Sequence, residues 1–385
     1  MTVVGKVFRP NDQKVLSLNR CLFEYLRLVK YYLRIGSISK NELHQLYEQA
    51  KAGFNLPTAL IQTARDKAVE VLKSFKRNSK ESRGLRLKRI SIRFDSRCYS
   101  FSKTTNALTP YWLNLKLNHE RRVSLPIVFG ERQREFMESA LLDNLRFATV
   151  EMVKHDGEWY AHFVLKKDVQ FTEEPETVVG IDLGEVNLVT AVALKDRPSK
   201  GQFWRGSEVK RTRGLYNHIR RKLGKKKALK KIREIGGKEN RKVNQQLHIL
   251  ANQVVDYVKQ FPKPIIAMED LNGLRRSMKF SKKINRRAHS MPYHKLQTYI
   301  EYKANLEGIE TRHIEAKDTS KTCHRCGYVT QKTNAREFRC PRCGLKYNRD
   351  LNGAINIAQL LKRELRWGTV TAPNSQVRSD AESSN

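Results

Sequence analysis

Four cysteines, Cys323, Cys326, Cys340 and Cys343, form a C-x2-C-x13-C-x2-C array, the feature that most limits how this chain can fold. Four thiolates in two such pairs suit one tetrahedral Zn2+ ion in a closed structural site. Each pair lies in a matched knuckle, TCHRCG or RCPRCG, with Gly327 or Gly344 directly after its second cysteine. Glycine there permits a positive φ, which turns backbone N–H groups towards sulfur. A redox-active dithiol is the competing reading, and two matched knuckles argue against it. His324 is another ligand type inside the first knuckle, but four sulfurs already complete a shell. The other cysteines stand alone: Cys21 falls in the apolar pattern of a helix and reads as core, and Cys98 has no partner in sequence. One metal site plus two ordinary thiols is the pattern of a cytosolic chain and not of a disulfide framework.

Charge narrows the partner. The 385 residues carry 75 Lys and Arg against 39 Asp and Glu, a formal charge of +36. Such a surface repels itself unless a polyanion exchanges its condensed counterions for Lys and Arg. Nucleic acid is the expected partner. No apolar run approaches the ~18 residues of a membrane span, and MTVVGKVFRP lacks the basic-then-apolar order of a secretion signal. A membrane protein and an exported enzyme are therefore not expected. Within residues 210–242 there are 15 Lys or Arg and two acids, Glu234 and Glu239. The cations expected to track phosphates are Lys210, Arg211, Arg213, Arg220, Arg221, Lys222, Lys225, Lys226, Lys227, Lys230, Lys231 and Arg233. A merely solvated face is the bland alternative. Tyr216 and Trp204 could stack on bases, but core packing is the favoured reading for both.

Periodicity gives the organisation. Residues 2–9 read as a short strand. Helical spacing over 13–34 (Leu18, Leu22, Tyr25, Leu26, Val29, Leu33) starts a helical region. A second helix begins near Ser39, where Ser39 with Glu42 makes a capping box and Ile38 with Leu43 a hydrophobic staple. A third follows Pro57. From about 86 to 170 the period is two, with a hairpin at Asp156-Gly157, which predicts an antiparallel barrel or sandwich to which residues 2–9 contribute. The second half runs TVVGID, NLVTAVAL, a short strand near Gln202–Trp204, a basic stretch, an amphipathic helix, PIIAMED, a helix at about 293–306, a strand at 308–315, the cysteine array and DLNGAINIAQLL. That is the element order of an RNase H-like α/β fold. Residues 367–385 are polar and expected to be disordered.

Three acids stand where such a fold puts chemistry. Asp182 lies between Ile181 and Leu183 in an apolar strand, Glu269 ends PIIAME, and Asp350 opens the last helix. Ligands gather at the carboxyl ends of strands in open α/β sheets. Converging there, the three would make an oxygen-rich pocket for hard divalent cations, two of which can drive in-line attack on a phosphodiester. Each acid also has a plain reading: Asp182 as a turn residue before Gly184, Glu269 as a strand cap, Asp350 as a helix N-cap.

GIDLGEVNLVTAVAL resembles the first RuvC motif of the transposon-encoded TnpB family of RNA-guided DNA endonucleases, related to miniature type V CRISPR effectors. IIAMEDLNGL resembles the second motif, and KDTSKTCHRCG…FRCPRCG…NRDLNGAINIA resembles the zinc-bearing insert running into the third. The likeness is firm over about 150–362; over 1–149 only order and size agree. Gly353 stands where many relatives have Ala. The resemblance implies Asp182, Glu269 and Asp350 as nuclease acids holding two Mg2+ ions, and Cys323, Cys326, Cys340 and Cys343 as ligands of one structural Zn2+. It implies a multidomain α+β chain. Residues 1–10 give the first strand of a wedge-like β-barrel domain, 11–85 a helical recognition domain and 86–175 the rest of the barrel. A RuvC-like nuclease domain spans 176–319, with basic helices over 206–260. A zinc-ribbon insert covers 320–347, 348–366 complete the nuclease with its last helix, and 367–385 form a tail. The implied partners are a guide RNA from the transposon end, a double-stranded DNA target cut beside a short protein-read motif, and the displaced single strand. No membrane is involved, and the cytoplasm, at the nucleoid of a prokaryote, is the expected location. The rivals are a miniature CRISPR effector, a nuclease-silent guided repressor and a transposase acting on transposon ends without guide RNA.

Overall fold

A computed structural model describes residues 1–78, 85, 87, 90–118, 122–142, 145–271, 291–315, 318–331 and 336–366. The tail 367–385 and the end of IIAMEDLNGL lie outside the described residues, so the expectation of a disordered tail does too. The chain divides into two compact units, Met1–Asp168 and Val169–Asn385. Among the described residues no helix is long and apolar enough to cross a membrane.

The first unit is an antiparallel sheet with helices packed into the same core. Its strands are β1 (Thr2–Val7), β2 (Ile92–Asp95), β3 (Tyr99–Lys103), β4 (Tyr111–Lys116), β5 (Arg122–Val128), β6 (Arg146–His155) and β7 (Glu158–Lys166). Alternation carries them: in β7 the buried residues are Trp159, Ala161, Phe163 and Leu165, with more exposed positions between. The predicted hairpin at Asp156-Gly157 forms, with φ of 50° and 85°, the positive values a tight turn between twisted strands needs. Residues 2–9 supply β1, which pairs with β5 and β7 as expected.

The barrel is where the structure differs. The sheet order is β2-β6-β7-β1-β5-β4-β3, an open seven-stranded sheet whose end strands β2 and β3 do not pair with each other among the described residues. Rings take the place of a closing ladder. Phe101 of β3 lies 5.5 Å from Phe147 of β6 and 4.9 Å from Phe163 of β7, so the sheet coils round an aromatic core without closing its backbone.

The helices are α1 (Asp12–Ile35), α2 (Lys40–His44), α3 (Tyr47–Gly53), α4 (Thr58–Asn78) and α5 (Glu131–Leu141). Asn11 caps α1 by accepting from Lys14 N–H, and Gly36 ends it at φ 78°. The capping box is half formed. Ser39 Oγ accepts from Glu42 N–H, but the Glu42 carboxylate accepts from Ser37 Oγ instead of reaching back. Leu18, Tyr25, Leu60 and Ile61 share one core with Ile92, Phe94 and Phe163 of the sheet. Cys21 and Cys98 belong to that core; burial pushes the Cys21 thiol up to about 12, so it is inert packing.

The second unit holds a five-stranded sheet, ordered β10-β9-β8-β11-β12. The strands are β8 (Thr177–Asp182), β9 (Asn187–Leu194), β10 (Gln202–Arg205), β11 (Pro264–Glu269) and β12 (Thr311–Ile314). β8, β11 and β12 run parallel, while β9 and β10 are antiparallel additions. The helices are α6 (Ser207–Lys225), α7 (Leu229–Val258), α8 (Tyr293–Leu306) and α9 (Arg349–Arg366); a ribbon of β13 (Glu337–Arg339) and β14 (Lys346–Asn348) precedes α9. Parallel strands covered on both faces read as continuous apolar runs, and TVVGID and PIIAME do. Val179, Ile181, Ile266 and Met268 face α7 and α8. Val178, Ile265 and Ala267 face α9.

Candidate active site and zinc module

Period-two alternation decides where the acids point. Val178 and Gly180 of β8 lie on the α9 face, so Asp182, two residues further, lies on it too. On β11, Ile265 and Ala267 put Glu269 on that same face. The parallel register pairs Ile181 with Met268, so Asp182 and Glu269 end neighbouring strands side by side. Asp350 arrives from α9, whose first turn crosses those carboxyl ends. A Cβ at Gly353 would lie 3.2 Å from Asp182 Oδ2, and one at Gly184 would lie 4.0 Å from Asp350 Oδ1. The turn after β8, the first turn of α9 and Asp182 therefore occupy one small region.

The electrostatics follow. Burial first, then the charges of Asp350 and Glu269, push the Asp182 carboxyl up to about 7, with Arg349 opposing. Burial and neighbouring Asp270 raise Glu269 as well. Tyr293 is raised to about 12 by burial and then by the charges of Glu185 and Asp182. Such a cluster of acids is compensated by a cation, and its all-oxygen donor set suits a hard divalent one. The three carboxylates are set wider than the cysteine sulfurs: among the described residues, only the cysteine group has its ligand atoms all within 4.8 Å of one another.

Asp350 is not spent as a cap. Asn348 Oδ1 accepts from the backbone N–H of Asp350 at 2.9 Å and of Leu351 at 3.1 Å, so Asn348 satisfies the helix N-terminus. The Asp350 carboxylate instead accepts from Asn187 Nδ2 at 2.7 Å. Gln297 of α8 donates to the Glu269 carbonyl at 2.6 Å and fixes the end of β11. Neither Asn187 nor Gln297 stands out in the sequence. Asn348 does carry a signal, as a strong capping residue two positions before the acid.

The four cysteines come together as their spacing predicts. Cys323 and Cys343 sulfurs are 3.6 Å apart, and Cys326 and Cys340 are 3.5 Å apart. A tetrahedron with ~2.3 Å Zn–S bonds needs sulfurs ~3.8 Å apart, so the set fits zinc. Gly327 and Gly344 have φ of 73° and 70°, and each donates its N–H to the carbonyl of the first cysteine in its knuckle, at 2.9 and 3.0 Å. Backbone N–H groups of Cys326 and Arg325 face the Cys323 sulfur, and those of Cys343 and Arg342 face Cys340. Burial works against the Cys340 thiolate, but these donors and the Cys326 thiol hold it down to about 7. His324 lies outside the set: its Nδ1 is 3.0 Å from Asn352 Oδ1 and its ring packs on Tyr347. Verified removal of the zinc is expected to lower Tm by more than ~5 °C, because a structural zinc contributes folding energy directly. Calorimetry showing an unchanged Tm in zinc-free protein would count against a structural ion.

The basic residues lie on α6, the first half of α7 and, for Lys226 and Lys227, the turn between them; the two helices form a hairpin. Arg220 pairs with Glu239 across it, and Gln246 donates to Thr212 at 3.1 Å. Arg211 pairs with Glu208, and Lys210 Nζ donates to the Glu185 carbonyl, tying the root of α6 to the turn beside Asp182. Arg213, Arg221, Lys222, Lys225, Lys226, Lys227, Lys230, Lys231 and Arg233 have no ion-pair partner among the described residues. Trp204 packs against Tyr257 with ring centroids 5.6 Å apart, as the core reading expected.

Residues 293–357 match the Cas12f1-like TNB domain family. The chain is similar to the TnpB-like protein MJ0751 of Methanocaldococcus jannaschii, 27% identical over 259 residues, covering 65% of this chain and 90% of that protein. It is also similar to a CRISPR-associated endodeoxyribonuclease Cas12f1 of an uncultured archaeon, 30% identical over 149 residues, covering 37% of this chain but 28% of that enzyme. Among solved structures, Cas12f1 in a cryo-EM complex with sgRNA and target DNA has the same fold, with a TM-score of 0.67 at 16% identity over 90% of this chain and 81% of that one. The mini-RNA-guided endonuclease CRISPR-Cas_phi3 gives a TM-score of 0.55 at 11% identity, covering 94% of this chain and 92% of that one.

Proposed function

The chain belongs to the TnpB family, related to the miniature type V effectors, and from that premise we propose that it is an RNA-guided DNA endonuclease of a mobile element, dependent on Mg2+. The observation that carries this is the convergence of Asp182, Glu269 and Asp350 on one face of the sheet, at the root of the basic hairpin. Bound among these carboxylates, divalent cations would supply activation of a water molecule and stabilisation of the departing 3′ oxygen. The protein's own part is positional. β8 and β11 hold two carboxylates at fixed register, Asn187 orients the third, and the unpaired cations of α6 and α7 grip phosphates without reading bases.

The remaining assignments rest on the family likeness. Residues 11–85 act as recognition helices, 86–175 with β1 as the wedge-like sheet, 176–319 and 348–366 as the RuvC-like nuclease and 320–347 as its zinc ribbon. Target double-stranded DNA, its displaced strand and a guide RNA are the partners, and the nucleoid of a prokaryote is the place of action. The test is to sequence the RNA that co-purifies with the protein. A discrete species ending in a variable segment is expected. Protein that carries no defined RNA yet binds transposon ends would replace this reading with a transposase.

A further inference from the structure

The helix that delivers Asp350 is held from two sides. Towards the sheet, α9 lies against Gly180 and, through Gly353, against Asp182. On another face it carries three amides at helical spacing, Asn352, Asn356 and Gln359, and all three bind the backbone of the first cysteine knuckle. Asn352 is fully buried. Its Nδ2 donates to the Thr322 carbonyl at 2.7 Å, and its Oδ1 accepts from His324 N–H at 3.1 Å. Asn356 Nδ2 donates to the carbonyls of Thr319 and Thr322, both at 2.7 Å. Gln359 Nε2 donates to the His324 carbonyl at 3.1 Å. Positions 352, 356 and 359 fall within about 60° of one another around a helix of 3.6 residues per turn, so the contact is a stripe.

Amides bonded to backbone groups, Asn352 through both its nitrogen and its oxygen, fix position more sharply than apolar contacts, because a small displacement leaves donors and acceptors unpaired. Asn352 lies two residues from Asp350 and one from Gly353. The same turn of α9 thus holds an acid, the glycine that abuts Asp182, and the centre of the clamp. The cysteine module is joined to the helix after its second knuckle as well: β14 runs directly into α9, and its last residue, Asn348, caps the helix.

We propose that Asn352, Asn356 and Gln359 are positioning residues through which the cysteine module sets the placement of Asp350 against Asp182, so that the zinc site braces the divalent-cation site. The inference rests on reading the three acids as that cation site. Losing a supporting hydrogen bond behind a metal ligand costs ~10–100-fold in metal affinity.

The experiment uses the full chain with its co-purified RNA. Mn2+ binding is followed by the loss of the free-ion electron spin resonance signal, and zinc per chain by a colorimetric chelator after denaturation. An Asn352→Ala, Asn356→Ala protein is expected to keep one zinc per chain, bind Mn2+ ~10–100-fold more weakly, and regain part of its cleavage at raised Mg2+. Asn356→Gln, which keeps the amide donor, is expected to bind Mn2+ nearly as the parent does. If the double variant does not fold, Gln359→Ala, which removes one hydrogen bond, is expected to show the same effect more weakly. Parental Mn2+ affinity in a folded, zinc-loaded variant would overturn the proposal. Loss of zinc together with Mn2+ would assign the amides to the module's own folding and overturn it too. Asp182→Ala separates the two readings: if it abolishes Mn2+ binding while the clamp variants keep parental affinity, only the clamp fails, and if it binds Mn2+ as the parent does, the acid site fails first.

Discussion

An Asp182→Asn protein is expected to retain its RNA and lose cleavage by ~1000-fold or more, since the substitution removes a charged ligand from a site whose cations contribute several kcal/mol to the transition state. The side chain keeps its shape, so binding of nucleic acid through α6 and α7 should be untouched. The same variant carries a stability signature with a definite sign. The Asp182 carboxyl titrates near 3.8 in the unfolded chain and near 7 in the folded one. Below about pH 4 it is neutral in both states and costs nothing. As pH rises the unfolded chain releases the proton first, so folding loses stability between about pH 4 and 7, and above that the whole penalty, on the order of 4 kcal/mol, is in place. Asparagine cannot ionise. In chelator the variant should therefore melt higher than the parent at pH 8, with the gap narrowing at pH 5 and closing below about pH 4. Saturating Mg2+ should close it at pH 8 as well, by stabilising the parent. Thermal melts across pH and a plasmid-cleavage assay read both halves. Parental cleavage by the variant would remove Asp182 from the chemistry.

The sequence announced the strands of this site because they are buried on both faces: between its first residue and the terminal acid, each of TVVGID and PIIAME has no polar side chain. It announced the zinc site because ligand spacing and the glycine after each pair are local constraints, and Gly327 and Gly344 take the positive φ that the spacing requires. Whether the acids share a face was not legible, since that depends on the register between β8 and β11, a pairing across more than eighty residues. Closure of the first sheet was hidden for the same reason. Alternation identifies β3 as a strand but says nothing about what its far edge meets, and Phe101 meets rings instead of a ladder. The amides were invisible for a different cause. Asn187 and Gln297 follow no pattern, and the helical spacing of Asn352 and Asn356 does not say what they meet; their worth comes from the groups that the fold brings to them. Asp350 read as a possible N-cap because acids favour that position, but Asn348 takes it and leaves the carboxylate to Asn187.

Gly180→Ala is expected to be the most damaging single methyl in the second unit. A Cβ at Gly180 would overlap the Ala354 carbonyl oxygen and lie 2.8 Å from Ala358 N and 2.9 Å from its Cβ. Two of these are main-chain atoms of α9, so no rotamer change can clear them, and the helix as a whole must lift off β8. Overpacking of this kind costs about 3 kcal/mol, at the upper end of its range. The functional loss should be larger, because lifting α9 carries Asp350 and Gly353 away from Asp182, and a misplacement of ~1 Å at a reacting centre costs ~100-fold. Gly214→Ala is the matched control. It lies within α6 with nothing within 4 Å of the added carbon, so the same change there should raise stability by ~0.5–1 kcal/mol through helix propensity alone and leave cleavage intact. Gly201 discriminates further: its added carbon would meet the end of the Leu351 side chain, which can rotate, so Gly201→Ala should be milder than Gly180→Ala. Denaturant melts and cleavage rates on the three variants order the effects. A Gly180→Ala protein with parental cleavage would mean that the approach of α9 to β8 does not set the geometry of the acids.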